Sequence, residues 1–156
     1  MKKIIVVMFV SILAILSGCA EKSSESKAQT TSSEIISAND FDTLGDVQLS
    51  IKDGTLSKTG CTLVMKNDTQ VNYKFGTEYH IYQLADGKIT EADRISSGGF
   101  NLLSVGLSAK SQKEEIIQWD WLYNNLASGT YLLTRQFDAS DANGTSKMLF
   151  VQFEIE

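Results

Sequence analysis

Residues 129–155 read GTYLLTRQFDASDANGTSKMLFVQFEI, and this stretch decides the fold. Two segments within it, Tyr131 to Phe137 and Met148 to Ile155, carry the β-branched and aromatic residues that suit strands. Between them Asp141-Ala142-Asn143-Gly144 supplies a hairpin turn, because Asn-Gly takes up positive φ at little cost. In the second segment Leu149, Val151, Phe153 and Ile155 recur every second residue, which puts them on one face and toward a core.

Upstream, the same short alternation repeats between turn signals. Glu114 to Trp119 and Leu102 to Leu107 are strand candidates separated by the polar Ser108 to Ser111. Glu78 to Leu84 is another, ended by Asp86-Gly87. Residues 59–66, TGCTLVMK, close on Asn67-Asp68, and Val47, Leu49 and Ile51 alternate up to Lys52-Asp53-Gly54. Only Asp120 to Leu126 reads helical, for one or two turns. About seven strands and no long helix predict an all-β fold, an antiparallel β-sandwich over residues 45–156. Proline is absent, so the loops are shaped by the 11 glycines together with Asn, Asp and Ser.

Four motifs in this region carry a family resemblance: Leu63-Val64-Met65-Lys66-Asn67-Asp68, Phe75-Gly76-Thr77-Glu78-Tyr79, Trp119-Asp120-Trp121-Leu122-Tyr123 and Gly129-Thr130-Tyr131. In order and spacing, Thr59 to Glu156 resembles the bacterial immunoglobulin-like domain of Gram-positive lipoproteins. The resemblance implies an immunoglobulin-like sandwich, an envelope location and no transferable activity. It also implies that Tyr131 forms a tyrosine corner, its hydroxyl bonded to nearby backbone. Where the family usually has proline before the glycine of the last motif, this chain has Ala127-Ser128.

The first nineteen residues, MKKIIVVMFVSILAILSGC, have a different character. Lys2 and Lys3 precede an apolar run from Ile4 to Leu16, too short for a permanent membrane span but suited to a secretory signal. Leu16-Ser17-Gly18-Cys19 resembles a lipobox, the processing site of bacterial lipoproteins. That resemblance implies cleavage after residue 18, diacylglycerol on Cys19 and anchoring to the extracytoplasmic face of the cell membrane. Residues 20–33, AEKSSESKAQTTSS, hold no large apolar side chain, so 19–44 is expected to be a disordered tether. Acylation of Cys19 would leave Cys61 as the only free thiol, so no disulfide is expected.

The formal net charge of −5 falls to −7 once Lys2 and Lys3 leave with the signal. With no Lys/Arg cluster, this balance argues against nucleic acid as a partner. His80, the only histidine, has no second histidine for a zinc site and reads as an exposed strand residue. Cys61 reads as a small buried hydrophobe. Asp138, Asp141 and Asn143 superficially resemble a calcium loop, but Ala139 and Phe150 stand where acids are needed. No serine-nucleophile signature is present. Neither catalytic groups, nor a metal site, nor a cofactor is therefore expected.

The remaining candidates for ligand contact are Trp119, Trp121 and Tyr123, with one aromatic capping the core and another at its rim. Trp119 and Trp121 share a face if their strand continues. The leading expectation is a monomeric, non-enzymatic module that binds or spaces an envelope protein or glycan. The alternative is a protease-inhibitor-like sandwich that presents the loop Ser96 to Asn101, SSGGFN, to an envelope protease.

Overall fold

The computed structural model describes residues 47–95, 98–141 and 144–156. The signal peptide (1–18), the lipobox Leu16, Ser17 and Gly18, Cys19 and the tether (19–44) lie outside the described residues. Nine strands and one helical turn follow in chain order: β1 (Val47–Ile51), β2 (Gly60–Asn67), β3 (Tyr73–Gly76), β4 (His80–Ala85), β5 (Lys88–Glu91), β6 (Ser104–Leu107), β7 (Ser111–Gln118), α1 (Asp120–Tyr123), β8 (Gly129–Ala139) and β9 (Ser146–Ile155). All pairings are antiparallel. One sheet has the order β1-β2-β7, the other β5-β4-β8-β3-β6 with β9 on the far side of β8. The protein is an all-β sandwich of these two sheets.

β8 organises the larger sheet. Its first half pairs with β4, from Leu84↔Thr130 to His80↔Thr134. Its last residues pair with β3, Phe75↔Phe137 to Tyr73↔Ala139. On its other side it runs beside β9 from Gly129↔Ile155 to Asp138↔Ser146. The hairpin and the inward face of β9 agree with the sequence reading: Leu149, Phe153 and Ile155 are buried, and Val151 packs against the core.

Two strands are not legible in the sequence, β3 and β5. Each has four residues and at most two apolar ones, so alternation is too short to register before a partner is in place. The β4–β5 turn is Asp86-Gly87, with φ of 52° and 71°, the paired positive values of a two-residue hairpin. Two boundaries also differ from expectation. β6 begins at Ser104, leaving Leu102 and Leu103 outside the sheet, and β7 stops at Gln118. Trp119 and Trp121 therefore do not share a strand face.

The two sheets meet over Leu63, Met65, Phe75, Ile81, Leu133 and Phe137, all at most 1% exposed. Among them lies a charged side chain. Arg135 of β8 is 1% exposed and occupies the inward position between Leu133 and Phe137. Its guanidinium grips Glu115 of β7 in the opposite sheet, Nη1 to Oε2 at 2.7 Å and Nη2 to Oε1 at 3.2 Å. Nη2 also donates to the Thr77 carbonyl at 3.3 Å, and the guanidinium carbon lies 5.2 Å from the Phe75 ring centre. Such a two-pronged pair is directional in a way that apolar contacts are not.

Elsewhere the packing is shaped by single residues. A Cβ at Gly60 would come within 2.3 Å of the Ile117 carbonyl oxygen, so β2 and β7 can approach here only with glycine. Asn67, fully buried, donates to the carbonyls of Val71 and Ser108 and accepts from Thr69, tying the end of β2 to two loops. The Tyr131 hydroxyl donates to the Ala127 carbonyl at 3.0 Å, the backbone bond of a tyrosine corner, even though Ala127-Ser128 replaces proline.

Removing one partner of the buried pair should be far worse than removing both. Glu115→Ala leaves an uncompensated guanidinium in the core and should cost about 3 kcal/mol, the low end for such pairs because Glu115 is partly exposed. Arg135→Met combined with Glu115→Leu should recover most of that loss, as measured by denaturant midpoint. For Tyr131→Phe, deletion of the hydroxyl bond should cost about 1 kcal/mol in the same assay.

Candidate functional site

Trp119 closes β7 and supports the core. It is fully buried, donates its indole N–H to the Lys58 carbonyl at 2.9 Å, and stacks on Phe153 at 5.5 Å. Phe153 in turn stacks on Tyr131 at 5.7 Å, making an aromatic column at this end of the sandwich. After Trp119 the chain turns through α1, which separates the three aromatic candidates. Trp121 reaches the surface, 43% exposed, with its indole N–H held by the Gln118 carbonyl at 2.7 Å. Tyr123 turns inward and is buried.

The surface around Trp121 is built by the segment between β5 and β6. The Ile95 amide donates to the Leu122 carbonyl, fastening this segment to α1. Phe100 packs edge-on against both Trp121, at 5.5 Å, and Tyr79, at 5.0 Å. The Thr77 hydroxyl donates to Asn101, whose Oδ1 also accepts from the Leu103 amide at 3.2 Å. These braces leave Ile95, Leu102 and Leu103 at 57%, 103% and 64% exposure. Beside them opens a cleft of about 560 Å³ walled by Phe75, Phe100, Leu102 and Leu103, with Glu78, Arg94 and Asp138 as its charges. Ser96 and Ser97, the start of the expected inhibitory loop, lie outside the described residues.

A polar cluster lies behind this segment. Glu91 Oε1 accepts from Arg94 Nε at 3.0 Å and the Tyr123 hydroxyl at 3.2 Å, and lies 3.0 Å from His80 Nδ1. Burial alone would raise the Glu91 pKa, but the bonds from His80 and Tyr123 and the charge of Arg94 outweigh it and hold the carboxyl below its usual range. The Tyr123 hydroxyl also accepts from the Ile81 amide at 3.3 Å, and burial raises its pKa. His80 is therefore a member of a network, its side chain 28% exposed, rather than the open surface residue expected from its neighbours.

Trp121 lies at the far end of the smaller sheet from Val47. Val47 pairs with Asn67, which pairs with Ser111 at the start of β7; β7 then runs the length of the sheet to Gln118 and α1. Val47 and α1 thus stand at opposite ends of this sheet.

Asp138 and Asp141 serve turn geometry, Asp138 accepting from Gln136 and Ser146 and Asp141 from the Gly144 amide. Asn143 lies outside the described residues, among which no metal-binding group of three His, Cys, Asp or Glu side chains occurs. Cys61 is buried, and burial pushes its thiol up to about 11. Ellman's reagent should accordingly leave Cys61 unmodified in the native protein at about pH 8 and titrate it fully in denaturant.

Residues 44–153 match the model of a protein family described as the bacterial Ig-like domain. Comparison with curated proteins finds no match.

Proposed function

The chain belongs to the family of bacterial Ig-like domains, and on that premise we propose that it is a non-enzymatic binding or spacer module of the cell envelope, lipid-anchored through Cys19. The observation that carries the binding reading is the exposed apolar surface around Trp121 and the segment before β6. Ile95, Leu102, Leu103 and Trp121 expose large apolar side chains on one part of the domain surface. Two adjacent leucines with their side chains in water are unfavourable for an isolated domain, by about 1.5–3 kcal/mol each relative to burial. Their exposure fits a contact surface for a protein partner.

The anchor reading rests on Lys2 and Lys3, the apolar run from Ile4 to Leu16 and the Leu16-Ser17-Gly18-Cys19 site. Two acyl chains hold a domain on a bilayer without a spanning helix. The acidic balance of the chain keeps the domain off anionic lipid. A protease-inhibitor role draws on the same surface, since a braced, exposed Asn101-Leu102-Leu103 segment could enter a cleft.

One experiment in intact cells separates these readings. Cys19→Ala should abolish labelling by radioactive palmitate and release the protein from membranes. A photo-crosslinking residue at Leu102 should yield an adduct that one at the exposed Gln48, on β1 of the smaller sheet, does not. Labelling that persists in Cys19→Ala would refute the anchor, and no adduct at Leu102 would leave only a spacer. An adduct with a protease would favour inhibition.

A further inference from the structure

The cleft beside Leu102 and Leu103 does not stop at Phe75. A second cavity, of about 240 Å³ and bounded by His80, Gln136 and Met148, shares Gly76, Glu78 and Asp138 with it. Phe75 and Phe137 point inward, so Gly76 and Gln136 face outward from the larger sheet. Gly76 pairs with Ser104 of β6, and Gln136 pairs with Met148 of β9. The two cavities therefore form one groove across β6, β3, β8 and β9, with Gly76 as its floor where they meet.

Nothing in the fold demands glycine at this point. The Gly76 φ is not positive, unlike that of Gly87 in the β4–β5 turn. A Cβ on Gly76 would meet no atom closer than the Glu78 amide nitrogen at 3.8 Å, an ordinary contact. Glycine loses more chain freedom on folding than any other residue, so a side chain here would favour the folded strand. What a side chain would also do is fill the groove at its midpoint. A strand glycine with open space above it marks a place where another backbone approaches closely.

The charges along the groove define what approaches. Its two arginines are already answered, Arg94 by Glu91 and Arg135 by Glu115. Its two carboxylates, at the middle, are not. Asp138 accepts only from the neutral Gln136 amide and Ser146 hydroxyl, and Glu78 Oε1 lies 3.5 Å from His80 Nε2. Lys74, opposite Asp138 in the register, can answer only one of the two. We propose that the groove takes an extended segment of a partner polypeptide that passes over Gly76. It lays a large apolar side chain against Phe100, Leu102 and Leu103, and puts a lysine or arginine between Glu78 and Asp138. In an extended chain every second side chain shares a face, so one strand presents both. The inference rests on the reading of this surface as a contact site and names the chemistry of what it contacts.

The test is an NMR titration of the full chain in detergent micelles with the peptide acetyl-Leu-Ala-Lys-Ala-Leu-amide. The amide signals of Gly76, Ser104 and Gln136 should shift and saturate. Changing the peptide's Lys to Glu, or both its Leu to Ala, should each weaken binding by about fivefold or more. Glu78→Gln combined with Asp138→Asn should erase the preference for Lys over Glu. Gly76→Val should remove binding while the denaturant midpoint holds or rises. No saturable shift with the first peptide, equal binding of all three peptides, or a Gly76→Val protein that unfolds at lower denaturant would each overturn the groove. A cellular adduct at Leu102 that persists in Gly76→Val would refute the groove and leave the contact surface standing, so the two can fail apart.

Discussion

The Arg135–Glu115 pair is the contact on which the meeting of the two sheets depends. Apolar side chains drive the sheets together but tolerate sliding, because dispersion and hydrophobic burial carry little direction. A planar guanidinium gripping a carboxylate across the core has one good geometry. Shifting β8 by one residue would turn Arg135 outward and bring Gln136 into the core. The pair thus penalises wrong registers more than it stabilises the right one, since desolvation offsets much of its attraction. Among the described residues no disulfide assists it, because Cys61 is free and buried.

From that tie the rest follows along β8. Because β8 is longer than its neighbours, it pairs β4 and β3 end to end on one side while β9 covers the other. The interval between β3 and β4 leaves Thr77 to contribute its carbonyl to Arg135. At one end Asn67 satisfies its buried amide against loop carbonyls. At the other the Trp119–Phe153–Tyr131 column fills the space and α1 closes it. Trp121 at the surface and Tyr123, which bonds Glu91, both belong to the α1 turn at this second end.

The aromatic motif around residue 120 shows how a functional reading from sequence divides in space. Trp119, Trp121 and Tyr123 are spaced as a strand would space one face, yet a single helical turn sends one to the core, one to the surface and one to a polar network. The apolarity of Leu102 and Leu103 predicts a strand, and the fold leaves both in water. Local pattern cannot foresee this, because a segment joins a sheet only when an edge is open to it, and β6 pairs with β3 only from Gly76↔Ser104 onward.

Period-two alternation and turn chemistry are local properties of a chain, and they suffice for the class of fold, the last hairpin and the buried face of β9. The tyrosine corner is legible for a similar reason, since its donor and acceptor lie four residues apart. The same alternation puts Arg135 at an inward position with Tyr131, Leu133 and Phe137, but it does not say what neutralises the charge. Glu115, the two shortest strands and the convergence of His80, Glu91, Arg94 and Tyr123 emerge only in the folded molecule. Those contacts join residues far apart in the chain, and the distances between them are set by packing the sheets, which no local pattern encodes.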